Sequence, residues 1–217
     1  MSQRVLTIAL SVGLCFAVVS LGLGVAAWRL PDIERGYSPK QPLDYSHRLH
    51  AGELQIDCRF CHVGAEQSRY AGIPSNDVCM KCHQVVTSSF DVLQNELKQA
   101  DAEKRKPQQI TSPELKKLYD WMGVDENRLP RKDSKPQSIP WVRIHDLPDH
   151  VTFDHRAHVT AGVTCQRCHG PVESMERVRQ EESLSMGWCV NCHREVNKKG
   201  IEGHSVHAST NCSVCHH

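Results

Sequence analysis

Aromatic side chains are scarce. Phe, Trp and Tyr together make up 6 % of the 217 residues, which is thin for the core of an ordinary globule of this length. An excess of charge of either sign is also lacking. Lys plus Arg number 26 and Asp plus Glu 25, so the net charge is +1. There is no basic field to hold nucleic acid and no acidic tail. Alternating apolar–polar runs of any length are missing, which argues against a sheet-built fold. Cysteine and histidine are abundant instead, at 11 and 14 residues. A chain short of apolar bulk and rich in these two draws part of its interior from a metal or cofactor.

Ten of the 11 cysteines fall into five Cys-x-x-Cys-His words. They are Cys58-Cys61-His62, Cys79-Cys82-His83, Cys165-Cys168-His169, Cys189-Cys192-His193 and Cys212-Cys215-His216. Only Cys15 is left over, in an apolar run near the N-terminus. The word is the signature of c-type haem attachment. Two thiols three residues apart lie on one side of a helical turn and can add to the two vinyl groups of one porphyrin. The adjacent His then sits under the iron as proximal ligand, and axial ligands set the iron's electronic character. Zinc is the competing reading, since Cys58, Cys61, Cys79 and Cys82 also fit a zinc-ribbon spacing. Zinc does not require a His after every second Cys, and here that His recurs in all five words. Five haem c groups are therefore expected.

Residues 5–28 carry no charge. As a helix they would span roughly 36 Å at about 1.5 Å per residue, enough for a hydrocarbon core of about 30 Å. A cleaved signal peptide has an apolar stretch of only about 7–15 residues, although Val25-Ala26-Ala27 resembles a weak cleavage site. A lipoprotein signal wants a small residue before its Cys, but Leu14 precedes Cys15. A retained transmembrane anchor over residues 1–29 is expected, with Cys15 as an apolar residue inside it. Arg4 lies on one side and Arg29, Arg35 and Lys40 on the other, so charge gives little orientation. Orientation follows from the haems, because covalent attachment happens outside the bacterial cytoplasmic membrane. The bulk of the chain, residues 30–217, should face the periplasm.

The soluble part repeats a unit. A His-x-x-His pair precedes a haem word at His47/His50, His155/His158 and His204/His207, and an aromatic residue sits two before the first His in Tyr45 and Phe153. The layout is a dihaem module (45–83), a helical insert (84–143), a second dihaem module (145–193) and a monohaem half-module (204–217). In the insert, Phe90, Leu93, Leu97 and Ala100 recur at helical spacing. Ser112-Pro113 opens a second helix that ends at Gly123, with Leu115, Leu118, Tyr119 and Met122 on one stripe. Residues 132–140 are polar, Pro-punctuated loop. The predicted fold is mostly α, with short helices and long irregular loops organised around five haems. From His47 onward 171 residues serve five haems, about 34 each, too few to bury much apolar surface by themselves. The apoprotein should be largely unfolded.

Five of the 14 histidines are proximal, which leaves nine for five distal positions. His47, His50, His155 and His158 are the first choices, because a repeated His-x-x-His before a haem word is not a stray surface pair. The two members of a pair point in different directions on one turn and so serve different irons. The fifth position is open between Met186, three residues before Cys189, and His145. His204 and His207 stand too close to Cys212 to be favoured, and His150 and His217 are expected to face solvent.

The aromatic-x-His-x-x-His…Cys-x-x-Cys-His pattern resembles the class III multihaem cytochromes. More narrowly, the chain is similar to the pentahaem, membrane-anchored c-type cytochrome subunits of alternative complex III, a bacterial quinol:cytochrome c oxidoreductase. The matching stretches are 36–39, 45–51, 65–83, 139–145, 153–170 and 186–195, while the charged insert near 90–131 matches least. The resemblance implies three kinds of partner. These are an integral-membrane quinol-binding subunit, an iron–sulfur subunit related to molybdopterin enzymes, and a monohaem cytochrome c or terminal oxidase as acceptor.

Apart from the resemblance, five six-coordinate haems in so short a chain would lie near enough for electrons to pass between neighbours, and would leave no site for substrate. The expected role is an electron relay at the membrane, not an enzyme by itself. A multihaem reductase would need a five-coordinate iron, yet all five words end in His. A free-standing, membrane-anchored quinol dehydrogenase would place its first haem word close to the anchor. Here the 29 residues 29–57 intervene.

Overall fold

The computed structural model describes residues 3–27 and 34–216. The end of the expected anchor at Trp28 and Arg29, and His217, lie outside these residues. The first helix, α1 (Gln3–Ala27), is long and apolar enough over Gln3–Val25 to cross a membrane, with a mean hydropathy of 2.4. A signal sequence would meet the same test of length and composition. The apolar side chains of Gln3–Val25 are exposed, so α1 is not the core helix of a globule.

The rest is short helices in irregular loops. They are α2 (Cys58–Cys61), α3 (Asn76–His83), α4 (Phe90–Ala102), α5 (Pro113–Met122), α6 (His155–Thr160), α7 (Gln166–His169), α8 (Met186–Lys199) and α9 (Cys212–Cys215). One turn of π-helix covers Arg48–Glu53, and one turn of 3-10 helix Val172–Ser174. Among the described residues there is no strand. Three isolated antiparallel bridges join Val124 to Pro130, Val151 to His216 and Ile201 to His204.

The insert shows how sequence makes these elements. Ser112 caps α5 by accepting a hydrogen bond from the Leu115 N–H at 3.3 Å. Pro113 fills the first turn, where its missing N–H costs nothing. Gly123 ends the helix at φ +68°, a left-handed conformation that a side chain would strain. The α5 stripe buries Leu118 and Tyr119 against Leu43, Met80 and Ile139, with Tyr45, Trp121 and Trp141 packed around them. The Tyr119 hydroxyl donates to the His83 carbonyl at 2.7 Å, so α5 lies on the end of α3. Helix α4 forms where its spacing predicts, but its stripe faces inward only in part. Ala100 is buried, whereas Phe90 is 77 % exposed. Glu96 is buried in place of the outward-facing apolar positions and takes hydrogen bonds from Arg105 and the Gln108 N–H.

Apolar burial by polypeptide is confined to few places. Beyond residue 144 Met175 is the single described apolar residue that is buried. Cross-chain hydrogen bonds join the halves instead. Gly36 N–H donates to the Gln180 carbonyl at 2.7 Å and Gln180 N–H to the Tyr37 carbonyl at 3.0 Å. Arg48 N–H donates to the Met175 carbonyl at 2.9 Å, and the Arg48 guanidinium pairs with Glu53 and Glu176. The π-helical turn packs on the 3-10 turn so closely that a Cβ on Gly52 would lie 2.2 Å from the Glu173 carbonyl oxygen.

Candidate haem sites

Each of the five words occupies one helical turn. The words at 58–62, 165–169 and 212–216 are nearly free turns, closed by an N–H···O bond from the His to the carbonyl of the first Cys: His62 to Cys58 at 2.9 Å, His169 to Cys165 at 3.0 Å, and His216 to Cys212 at 2.9 Å. Asp57 and Asn211 cap the first and last turns by accepting from Arg59 N–H at 2.8 Å and Ser213 N–H at 3.2 Å. The words at 79–83 and 189–193 lie inside the longer helices α3 and α8. In every case the two thiols sit i and i+3, on one face. None of the cysteines is in a disulfide.

The repeat found in sequence is a repeat in space. Tyr45 stacks on His50 at 4.4 Å between ring centroids and meets His47 edge-on at 4.8 Å. Phe153 stacks on His158 at 4.5 Å and meets His155 edge-on at 4.8 Å. One aromatic ring thus orients both histidines of its pair. The second His of each pair ties its Nδ1 to the carbonyl four residues back, Ser46 for His50 at 2.9 Å and Asp154 for His158 at 2.8 Å.

The same tie recurs across the sites. Nδ1 of His62 bonds Gly72 O at 2.6 Å, His83 Val86 O at 2.8 Å, His155 Arg69 O at 2.8 Å and His193 Ser209 O at 2.5 Å. A carbonyl can only accept, so each of these rings donates from Nδ1, which leaves Nε2 as the nitrogen able to meet a metal. That is the tautomer a metal-binding imidazole needs. Burial adds to this. It pushes the His169 ring down to about 3, helped by His145, His155 and His62, and the His47 ring down to about 4, helped by His62 and His50. His145 is also held to about 4 by burial and by His155. These rings stay neutral at physiological pH. His47 Nδ1 is buried with no hydrogen-bond partner, the condition of a polar group whose partner is not protein.

Spacing then separates haem from zinc. An imidazole nitrogen lies about 2 Å from a metal it binds and about 1.2 Å from its own ring centre, so two rings on opposite sides of one iron have centres roughly 6.3 Å apart. His50 and His83 are 6.1 Å apart, His155 and His169 6.3 Å, His158 and His193 6.0 Å, and His150 and His216 5.6 Å. Each pair joins the His of a different word to a His from elsewhere. His62 has His47 as its near neighbour. Among the described residues no three His, Cys, Asp or Glu side chains converge as a metal held by protein alone would require. The side chains present therefore fit iron porphyrins linked through the thiols.

Of the residues singled out in the sequence, His47, His50, His155 and His158 all lie beside the His of a haem word. His145 also joins this cluster, but at 4.4 Å from His169, edge-on, with its Nε2 3.4 Å from His169 Nδ1. That is too close for an iron between them, and it makes His145 a hydrogen-bond partner of the His169 ring. Met186 opens α8 and is 70 % exposed. His204 and His207 are exposed. His150 was expected to face solvent. It is exposed, yet its ring lies nearly parallel to that of His216, at 19°. The cause is the bridge between Val151 and His216, with Thr152 N–H donating to the Cys215 carbonyl at 2.7 Å, which carries His150 onto the last word. No local motif marks it. The only sequence signal was that the fifth distal position was left open.

Residues 151–217 match the family model of cytochrome c7 and related cytochrome c. The chain is also 24 % identical over 211 residues to the menaquinone reductase, multiheme cytochrome c subunit, of Nitratidesulfovibrio vulgaris, covering 87 % of this chain and 82 % of that one. The last three haem words thus lie in a segment with the pattern of a multihaem cytochrome c, and most of the chain is similar to a multihaem subunit of a quinone-linked complex.

Proposed function

We propose that this chain holds five haem c groups and is the electron-transfer subunit of a membrane complex of the alternative complex III type. In this reading it relays electrons from a quinol-oxidising integral-membrane subunit, beside an iron–sulfur subunit, to a monohaem cytochrome c or terminal oxidase. The single observation that carries it is the set of four His–His pairs at 5.6–6.3 Å, each containing the His of a different word. When bound, haem iron supplies one-electron exchange between its ferric and ferrous states. The protein's part is to hold two imidazoles at each iron, which closes the site to substrates and makes the chain a carrier and not an enzyme by itself. Nδ1 ties to carbonyls fix the ring orientations, and the thiols anchor each porphyrin against its own turn. Helix α1, as a retained anchor, holds this assembly on the periplasmic side of the cytoplasmic membrane, where quinol electrons appear.

A second direction of flow has its own support, since the similar protein from Nitratidesulfovibrio vulgaris is named a menaquinone reductase subunit. In that case electrons would enter the row from the periplasmic side and leave to a quinone.

Mass spectrometry of the detergent-extracted chain should find five haem additions and an intact N-terminal segment. The purified complex, and not the isolated chain, should then reduce its haems with a menaquinol analogue. A colourless chain, or one holding zinc, overturns the proposal. Quinol oxidation by the isolated chain would instead identify a free-standing dehydrogenase. Net reduction of menaquinone by the complex, with no quinol oxidation, would establish the reverse flow.

A further inference from the structure

We infer that the five haem words stand in space in the order second, first, third, fourth, fifth, so that the second word and the fifth are the two ends of the row. The inference rests on the reading that every word carries a haem, and adds to it the arrangement that the sequence leaves open.

The second and first words adjoin through Cys61, which lies beside Cys79 and Cys82, and through the Lys81 ammonium, 5.5 Å from the centre of the Phe60 ring. The first and third words adjoin where the Cys58 thiol lies within electrostatic reach of Cys165. Backbone closes the same joint. His155 N–H donates to Arg69 O and Arg156 N–H to Ser68 O, both at 3.2 Å, so the loop leaving the first word lies on α6. The third and fourth words adjoin where Cys168 lies beside Cys189 and Cys192, and where Arg167 reaches Cys192 and, at 3.3 Å, Glu195. The fourth and fifth adjoin where Cys189 lies beside Cys215. There, too, Asn197 exchanges two hydrogen bonds with Ala208, at 2.7 and 2.8 Å, and the His193 ring bonds Ser209 O.

What makes the second word an end is its other flank. Tyr119 holds the His83 carbonyl, and the Leu118–Tyr119–Met80 cluster fills the space beside α3. The insert therefore covers that flank with polypeptide, and no further word has room there. The first word, despite coming first in sequence, becomes interior because residues 63–75 carry it onto the second half.

Electron paramagnetic resonance on the oxidised, haem-loaded, full-length chain tests this order. Neighbouring irons speed each other's spin relaxation, so deleting one haem slows only its neighbours. Cys79→Ser with Cys82→Ser should weaken the enhancement of one of the four remaining low-spin signals, and Cys58→Ser with Cys61→Ser that of two. A row in sequence order gives the opposite counts, two and one, and would overturn the inference. Each variant decides alone, so the order stays testable if either deletion fails to mature. Five haems in the wild-type chain with the wrong counts would sink the order and leave the relay reading standing. Fewer than five haems would sink both.

Discussion

Tyr45 and Phe153 do more than fill space. Each presents its face to one histidine and its edge to another, which fixes two ring planes with a single side chain. The resulting planes differ between sites: the His50 and His83 rings are inclined at 64°, His155 and His169 at 8°. At this scale the turn that each Cys-x-x-Cys-His word forms was legible, because the word is contiguous in the sequence. So was the candidacy of His47, His50, His155 and His158, because their pattern repeats. His150 was not legible. It reaches His216 through a bridge between segments 65 positions apart, Val151 and His216, and spacing along a chain cannot report such a contact. The His150→Ala variant should keep five covalent haems and turn one of them five-coordinate. A high-spin signal and carbon monoxide binding by one haem in five are expected. A spectrum that stays wholly low-spin would show that another residue holds that position.

Among the elements, the two helices of the insert were legible from caps and spacing, but what they bury was not. The sequence stripe of α4 suggested an apolar face, yet Glu96 lies inside, held by Arg105 at 3.1 Å and by the Gln108 N–H at 2.6 Å. A carboxylate and a guanidinium that neutralise each other escape a hydropathy pattern. The Arg105 hydrogen bonds, and then the Gln108 amide, hold the Glu96 carboxyl at about 2 against an ordinary value of 4.5. A carboxyl with a lowered folded value stabilises the fold above its ordinary value and ceases to do so as acid titrates it. The insert should therefore lose stability between pH about 4.5 and about 2, and Glu96→Gln should flatten that slope in hydrogen-exchange measurements on α4 and α5. The π-helical turn was invisible in sequence as well, since its close contact, Gly52 against Glu173, joins residues far apart along the chain. Gly52→Ala must push backbone from backbone, at a cost of about 1–3 kcal/mol by analogy with overpacked cores. It should lower the thermal midpoint of the haem-loaded protein without changing the haem count.

For the whole molecule, the thin supply of aromatics translates directly into a thin core. The buried cluster of the first half surrounds the second word, and the second half buries little beyond Met175. In the proposed reading, porphyrin faces would supply the remaining apolar surface. A chain produced without haem maturation should show no cooperative unfolding transition by circular dichroism; a sharp transition in that material would mean that polypeptide contacts suffice. The mostly helical architecture, strand-free among the described residues, followed from the lack of alternating runs, whereas the arrangement of the words did not, because it depends on which loop lies on which helix. That arrangement bears on biogenesis. The joint that seats the first word is made by residues 86 positions apart, Arg69 and His155. If the chain is exported as proposed, it would emerge from its N-terminus, so Cys58 and Cys61 would wait uncovered until α6 had crossed the membrane, and the attachment machinery would meet them on a tether still open at one side.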